Sequence, residues 1–462
     1  MTSSTSDPDS VYVWTWLPGT TEPVAAGAIR RVGDRLHFGY ARSYLERHDA
    51  ISLYAPELPV EPGWIEPRPG LTIAGAIRDG SPDAWGRGVI EARLGVDENS
   101  LTEQRYMLAS GTNRLGAIDF QERPDVYVPR VDGASLDELH EAAARLQDGL
   151  ELSPSLADAL IHGTTIGGAR PKVLIRDEDG VDWIAKLSSS SDKVFSVPNA
   201  EGASLELARR AGLTVPDSPI GTSLGREVLL VRRFDREPDG RRHHVVSGLT
   251  MAQEDEHAAR YVTYPALLDV LREHGDSATT PGRDLFERIA FNIAISNSDA
   301  HARNHAAFWD GQALRLTPAY DLAPGPRSGE TATQVMSYTR TIDGLPGERA
   351  SNFATLVDHC GVYDLETADA REIVDRIVDV IETEYEDAAE MNRMPSGDRA
   401  RMFGRQFVNP GTLHGYRDPA VNIPLDFSDT GVEGNRLRGR TSPASNSGSF
   451  KATERSEGPG IG

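Results

Sequence analysis

The most restrictive feature of the sequence is an apolar helical segment that ends abruptly in a run of polar residues. Leu285, Ile289 and Ile293 recur at helical spacing within residues 281–296, which predicts a helix with one buried face. The polar segment Asn297-Ser-Asp-Ala-His-Ala-Arg-Asn304 follows immediately. We therefore expect a core helix that runs directly into a cluster of hydrogen-bonding side chains.

A hairpin and a second acidic residue follow this polar segment. Asp310-Gly311 predicts a two-residue turn, and the strand-like run 313–316 precedes Asp321. Asp299 and Asn304 stand five residues apart, the offset at which protein kinases place the catalytic Asp and the metal-holding Asn. A phosphoryl-transfer site needs one carboxylate to accept the hydroxyl proton, and a second carboxylate with an amide oxygen to hold magnesium. Each residue alone also fits an ordinary turn or cap, but the combination favours phosphoryl transfer.

The composition limits the kind of protein and its surroundings. A length of 462 residues suggests two or three domains. The net charge of −22 argues against a large nucleic-acid-binding face on this chain alone. Cys360 is the single cysteine, which excludes an internal disulfide framework and fits a reducing compartment. The start of the sequence does not resemble a signal peptide, and no apolar run approaches the ~18 residues of a membrane span, so we expect a cytoplasmic protein without membrane contact.

Alternating segments predict a small β-rich region after a disordered tail over residues 1–10. The expected strands are 11–16, 24–30, 35–40, 50–54 and a strand within 111–120. The expected helices are one that starts near Ser81-Pro82 and ends near Leu94, and then 101–108, 136–146 and 153–160. The Gly- and Asp-rich residues 75–88 fit turn and packing roles better than a functional site.

A glycine-rich loop leads into the next predicted strand. Gly167 and Gly168 precede residues 172–176, and a hairpin returns the chain to Lys186. Closely spaced glycines allow backbone N–H groups to approach phosphate oxygens, and Lys186 could reach the same phosphates. The loop matches neither the Walker A motif nor the protein-kinase glycine loop. Alone it reads as an ordinary start of a hairpin, whereas together with residues 299–321 it favours a phosphate loop.

The following residues supply two further candidates. A helix is expected over 199–211, and Glu201 at its start either pairs with Lys186, as the helix Glu does in kinases, or is an exposed residue favoured by the helix dipole. The buried-type strand 226–236 has the position of a hinge that reads adenine through backbone groups. The basic residues of 232–244 read as a solvated edge hairpin, with a surface for a partner or acidic substrate as the alternative.

The remainder of the sequence predicts a helical region and an irregular tail. The expected helices are 261–275, 281–296, 347–361 and 365–391. Periodicity fades from Arg393 onward, and residues 430–462 have the Gly-, Ser-, Asn- and Pro-rich composition of a disordered segment.

Taken together, these residues resemble the HipA-type serine/threonine kinases, the toxin family of HipA–HipB toxin–antitoxin modules. The resemblance covers about residues 11–390, and its Asp–Asn and Tyr-Asp-Leu motifs are the most specific. The matching stretches are Thr165–Lys172, Ile184–Leu187, Leu229–Arg236, Asn297–Asn304, Pro318–Leu322 and, more loosely, the N-terminal strands with Pro82–Arg87.

The resemblance implies a role for each matching residue, with ATP and Mg²⁺ as cofactors. Asp299 would be the catalytic base, and Asn304 and Asp321 would hold magnesium. The nucleotide site would be formed by the phosphate loop, the hinge and the catalytic segments: Gly167, Gly168, Ala169, Arg170, Pro171, Lys172, Lys186, Arg232, Arg233, Phe234, His301, Asn304, Tyr320 and Asp321.

Two positions depart from the family pattern. Some members phosphorylate a serine at the start of the phosphate loop to switch themselves off, and Thr165 occupies that place here. It keeps a hydroxyl, so autophosphorylation at Thr165 is an expectation of the resemblance. The usual hinge acid is replaced by Arg232, which would weaken ATP binding if that contact is made through a carboxylate and would cost little if it is made through the backbone.

The expected fold is α+β and two-lobed like a protein kinase, with a small N-terminal β-rich domain and a helical C-terminal lobe. The expected regions are a tail over 1–10, the β-rich domain over 11–125, a nucleotide-binding lobe over 126–255, a helical catalytic lobe over 256–392 and an irregular to disordered tail over 393–462.

The resemblance implies a kinase that arrests growth by phosphorylating a protein. Family targets include aminoacyl-tRNA synthetases, and nothing in the sequence selects a target. A HipB-like antitoxin is the implied partner, with DNA contacted only through it. Two alternatives remain open, namely a small-molecule kinase of related fold and a nucleotide-binding regulatory module that acts with such a partner. The intact Asp299, Asn304 and Asp321 argue against the inactive module.

Overall fold

Three antiparallel sheets form the framework of the chain in the computed structural model, which describes residues 10–130, 134–153, 156, 160, 171–188 and 194–417. One sheet comes from the N-terminal region, one from the middle of the chain and one from a helical region that begins at His244. This mixture confirms the expected α+β class. None of the described helices has the length and apolar character needed to cross a bilayer.

The N-terminal sheet confirms the predicted meander. Its strands are β1 Ser10–Trp16, β2 Pro23–Val32, β3 Arg35–Tyr40 and β4 Ile118–Gln121, in the order β3-β2-β1-β4. The predicted strand over 50–54 is wrong, because Tyr54 forms only an isolated bridge with Leu58. A side chain fixes this segment instead, since the hydroxyl of Tyr40 donates to the carbonyl of Leu58.

Short helices connect β3 to β4. They are α1 Arg42–Leu45, α2 Gly75–Arg78, α3 Ala84–Leu94 and α4 Glu103–Ala109. Helix α3 starts slightly later than Ser81-Pro82 because Asp83 is its N-cap and accepts from the N–H of Gly86. It ends as predicted at Leu94, where Gly95 adopts a left-handed conformation with φ of 64°.

The middle sheet and two helices lie in the part of the chain for which we expected the nucleotide-binding lobe. The strands are β5 Lys172–Arg176, β6 Asp182–Leu187, β7 Ile220–Ser223 and β8 Arg226–Arg232, in the order β5-β6-β8-β7, and the helices are α5 Leu136–Gln147 and α6 Val197–Arg210. The predicted helix over 136–146 is confirmed, and Ser135 and Glu138 form a capping box at its start. The predicted helix over 153–160 lies mostly outside the described residues.

The helical region begins with the third sheet. Its strands are β9 His244–Ser247, β10 Ala306–Trp309 and β11 Leu314–Leu316, in the order β11-β10-β9. Its helices are α7 Gly248–Met251, α8 Tyr264–His274, α9 Pro281–Ala294, α10 Phe353–Asp358, α11 Thr367–Met391, α12 Ser396–Met402 and α13 Pro410–Leu413. Helix α9 is the predicted core helix, since Leu285, Ile289 and Ile293 are all fully buried.

The turn between β10 and β11 is longer than predicted. Trp309 pairs with Leu314, so residues 310–313 form the connection rather than Asp310-Gly311 alone. The carboxylate of Asp310 accepts from the N–H groups of Gln312 and Ala313 and thereby closes the longer loop from within.

Ordered structure continues beyond Arg393, where we expected an irregular tail. Helices α12 and α13 belong to this part of the chain. Met402 and Phe407 lie in the hydrophobic core, and the N–H of Val408 donates to the carbonyl of Ala294 at the end of α9. Residues 418–462 lie outside the described residues.

The basic residues after β8 are partly buried, which corrects the expectation of a solvated hairpin. Arg233 and Arg236 are 2% and 6% exposed, and both contact the carboxylate of Asp235. Their guanidinium groups also donate to the backbone carbonyl of Arg114, which precedes β4. Burial alone raises the pKa of Asp235, but the two arginines outweigh it and lower the pKa well below its usual value. This network joins the N-terminal region to the middle sheet.

Candidate active site

The segment that carries Asp299 leaves the end of α9 through a tight turn. Ser296 adopts a left-handed conformation with φ of 54°, and Asn297 beyond it is buried. Asp299 is exposed, and its carbonyl accepts from the side-chain amide of Asn304 at 3.2 Å. The backbone N–H of His301 donates to the same carbonyl at 2.8 Å. The predicted catalytic segment is therefore a compact loop closed on the backbone of Asp299.

Asp321 is held next to this loop by hydrogen bonds between the two segments. The side-chain amide of Asn297 donates to the carbonyl of Asp321 at 3.2 Å. The hydroxyl of Tyr320 donates to the carbonyl of Arg303 at 2.8 Å. Asp321 has a left-handed conformation with φ of 58°, which Asp tolerates better than most residues. The structure thus brings together Asp299, Asn304, Tyr320 and Asp321.

Sequence reasoning gave no role to Asn297, although it belongs to the polar segment. Its side-chain amide also donates to the Oδ1 of Asn292 on α9 at 2.9 Å. Asn297 therefore connects the core helix with the backbone of Asp321. An Asn directly after an apolar helix is the signal that would have suggested such a clamp.

Lys186 joins the middle sheet to both sides of the site. Its Nζ lies 2.5 Å from the carboxylate of Glu201 on α6 and 2.5 Å from that of Asp321. Of the two alternatives for Glu201, the structure therefore has the pair with Lys186, and Glu201 is buried rather than exposed. Burial alone lowers the pKa of Lys186, but Asp321 and Glu201 outweigh it and raise that pKa above its usual value. Conversely, Lys186 is the main cause that lowers the pKa of Asp321.

A second lysine lies beside Lys186. Lys172 of β5 is its cross-strand partner and is 9% exposed. Burial lowers the pKa of Lys172, and the positive charge of Lys186 lowers it further. Burial also raises the pKa of Glu201, against the opposing effect of Lys186. Two lysines and two carboxylates thus form a cluster whose formal charges cancel, and an anionic ligand would find two cations there.

The predicted hinge residues are only partly directed toward this cluster. The backbone N–H groups of Arg232 and Arg233 donate to the carbonyls of Asp217 and Asp182. The side chain of Arg232 lies 3.4 Å from the Asp217 carboxylate, and that of Arg233 belongs to the buried network described above. Phe234 does approach the site, since its ring centroid lies 5.7 Å from that of Tyr320.

Most of the predicted phosphate loop cannot be placed. Thr165, Gly167, Gly168, Ala169 and Arg170 lie outside the described residues. Pro171 is described and buried, and its carbonyl accepts from the N–H of Leu187, next to Lys186.

The donor set fits a magnesium ion held jointly with a nucleotide. Asp321 supplies a carboxylate whose side chain is 40% exposed. The amide nitrogen of Asn304 is engaged by Asp299, so its amide oxygen is the atom that remains for a cation. In the described part of the chain, no cluster of three or more His, Cys, Asp or Glu side chains could hold a metal by itself. Magnesium typically takes one or two protein ligands and completes its shell with phosphate oxygens and water.

The comparison with known protein families bears on the same residues. Residues 164–385 match the family of HipA-like C-terminal domains. The chain carries a HipA-like C-terminal domain. This confirms the resemblance to the HipA type, and the matched range contains Lys186, Glu201, Asp299, Asn304 and Asp321.

Two curated relatives of this chain are both named as candidate kinases. Y4mE of Sinorhizobium fredii, named as a candidate kinase, is 26% identical over 311 residues, which cover 63% of this chain and 72% of the relative. A second protein named as a candidate kinase, from Haemophilus influenzae, is 24% identical over 180 residues, which cover 35% of this chain and 52% of the relative.

A solved structure shows that the likeness extends to the fold. HipA in the complex of the Shewanella oneidensis toxin–antitoxin proteins HipA and HipB with operator DNA superposes with a TM-score of 0.62. The identity is 17%, and the match covers 85% of this chain and 93% of the other. The HipA-like fold therefore includes the N-terminal region as well as the matched C-terminal domain.

Proposed function

We propose that this HipA-type chain is a serine/threonine protein kinase that uses ATP and Mg²⁺. The observation that carries the proposal is the position of Lys186, which contacts both Glu201 and Asp321, with Asp321 tied through Asn297 to the loop of Asp299 and Asn304. Phosphoryl transfer needs this set, because it depends mainly on positioning and on charge stabilisation around the transferred group.

Each residue has a defined task in this proposal. The exposed carboxylate of Asp299 accepts the proton of the substrate hydroxyl, and Asn304 and Asp321 would hold the metal. A bound magnesium ion supplies charge neutralisation at the phosphates. Lys186, fixed by Glu201, provides a cation for the phosphate oxygens, and Lys172 places a second positive charge nearby. Phe234 and Tyr320 offer aromatic surface for the base.

The proposal extends to a toxin–antitoxin role in the cytoplasm. The S. oneidensis HipA structure contains HipB and operator DNA. By analogy, a HipB-like protein would be the antitoxin partner of this chain. The net charge of −22 favours DNA contact through that partner rather than directly. Growth arrest would follow from phosphorylation of a protein target, and an aminoacyl-tRNA synthetase is the target class that the family suggests.

The nature of the acceptor is the sharpest test. Purified protein is incubated with γ-labelled ATP and magnesium, alone and with lysate, and label is then separated into protein and small-molecule fractions. We expect label on serine or threonine of the chain itself or of a lysate protein, and mapping would begin at Thr165. Label found only in a small metabolite would replace the protein-kinase proposal by a small-molecule kinase. ATP binding without transfer would replace it by a regulatory module.

A further inference from the structure

A small pocket is shared by the two segments that carry the proposed metal ligands. Its space suits roughly one water molecule. Its lining residues include Arg288, Asn297, Asn304, His305 and Asp321. Any molecule held there would therefore touch both the Asn304 and the Asp321 segment.

Two side chains of this pocket are buried and keep polar atoms without a hydrogen-bond partner. His305 is 3% exposed, and neither of its ring nitrogens has a partner. Arg288 is 6% exposed, and its Nη2 donates to the carbonyl of Thr317 while its Nη1 has no partner. Buried polar atoms without a partner are rare, because each loses its hydrogen bonds to water and gains no hydrogen bond within the protein.

Packing and backbone contacts hold the ring of His305 in place. Its ring meets the edge of Tyr264 with centroids 5.0 Å apart, and its carbonyl accepts from the N–H of Gly248 at 2.7 Å. His305 is also the direct neighbour of Asn304. The backbone that carries the imidazole is therefore continuous with the backbone that carries the proposed metal ligand.

Water matches the chemistry of these atoms better than an anion does. A guanidinium offers only donors, whereas a neutral imidazole offers one donor and one acceptor. A water molecule can accept from Arg288 and donate to His305, and buried waters commonly satisfy such groups with about three hydrogen bonds. An anion can only accept, from Arg288 and from an imidazole N–H, whereas a water can also donate to the imidazole nitrogen that carries no proton.

We propose that this pocket holds an ordered water bound by Arg288 and His305, and that both act through it as positioning residues for Asn304 and Asp321. The inference rests on the proposed function, because positioning of these residues matters only if they hold a metal. Residues behind metal ligands typically change metal affinity or activity by 10- to 100-fold when they are replaced.

The experiment uses the full chain with His305→Phe and Arg288→Met. The first keeps the aromatic contact with Tyr264, and the second keeps the aliphatic stem. Arg288→Lys is the conservative variant. His140→Phe is the matched control, since His140 is 2% exposed, has an unpartnered Nε2 and bonds to Ser223 away from the pocket.

Two quantities are measured: the ratio of ATP affinity with magnesium to that in chelator, and hydrogen exchange of residues 297–305 and 320–323 without ligand.

We expect His305→Phe and Arg288→Met to reduce the magnesium-dependent gain in ATP affinity by about 10-fold or more and to accelerate exchange in both segments. Arg288→Lys should keep much of the magnesium-dependent gain and of the slow exchange. His140→Phe should change neither the gain nor the exchange rate. Folded variants that keep the gain within about twofold and exchange at the wild-type rate would overturn the inference. The inference would also be overturned if crystals soaked in bromide showed a bromide ion, and not water, between Arg288 and His305. A wild-type protein without any magnesium-dependent gain would count against the proposed function, and the exchange rates, which need no metal, would still decide this inference.

Discussion

Replacing Lys186 by Met should destabilise the protein in a pH-dependent way. Lys186 contacts Glu201, whose side chain is 4% exposed, and Asp321, whose side chain is 40% exposed. Removing one partner of a buried ion pair typically costs roughly 3–5 kcal/mol of folding free energy. We expect a value near the lower end, about 3 kcal/mol at pH 8, because Lys172 remains nearby and the half-exposed Asp321 is screened by solvent.

The sign of the pH dependence follows from Glu201. Burial already raises its pKa, and Lys186 opposes that rise, so the variant should have a still higher Glu201 pKa in the folded state. The folded variant then binds a proton at pH values where the unfolded chain has lost it, and stability falls as pH rises from the unfolded pKa to the folded one. Each additional unit of pKa difference is worth about 1.4 kcal/mol, so the loss at pH 5 should be smaller than at pH 8 by at least about that amount.

Urea unfolding of the ligand-free protein at pH 5 and pH 8 measures both effects. The double variant Lys186→Met with Glu201→Gln should recover much of the loss at pH 8 and remove its pH dependence, because no buried carboxylate is left unpaired. Arg340→Met is the matched control, since Arg340 pairs with Asp269 at the surface and exposed pairs contribute at most about 1 kcal/mol. A Lys186→Met variant as stable as this control, or equally destabilised at both pH values, would refute the reasoning.

Two further variants test other parts of the structure. Asp235→Asn should lower the free energy of unfolding in urea by about 3–5 kcal/mol, because Arg233 and Arg236 lose their shared buried carboxylate, and a loss no larger than that of the exposed control Asp239→Asn would be contrary to this account. Gly248→Ala should reduce phosphoryl transfer about tenfold or more, because a Cβ there would lie 2.5 Å from the carbonyl oxygen of Ala302 and would displace the catalytic loop. Gly88→Ala in α3 meets no atom within 4 Å and should leave transfer unchanged, so equal rates for both glycine variants would speak against a close fit around Ala302.

Local patterns in the sequence were sufficient for features that depend on neighbouring residues. The three N-terminal strands and the helices α5 and α9 follow from periodicity. For Glu201 the sequence left two alternatives open, a pair with Lys186 as in kinases or an exposed side chain, and only the structure distinguishes them.

Features that depend on residues distant in the sequence could not be predicted from local patterns. Asp235, Arg233 and Arg236 look like surface charges in the sequence, and only their contacts with residues 113–116 make them buried. The longer turn at Asp310 arises because a side chain closes the loop. The place of Asn297 directly after an apolar helix was a signal in the sequence, but its partners, Asn292 and the backbone of Asp321, could not be read from that position.

The most direct test of the central claim is single-turnover transfer of the γ-phosphoryl group from ATP by the wild type, Asp299→Asn and Asp310→Asn, with ATP affinity measured in parallel. Asp310 is an exposed carboxylate in the neighbouring turn, and its variant should transfer at the wild-type rate. We predict that Asp299→Asn binds ATP with near wild-type affinity and loses transfer by about 100-fold or more, because it removes the proton acceptor. Transfer by Asp299→Asn at the wild-type rate would contradict the assignment of Asp299 as the catalytic base.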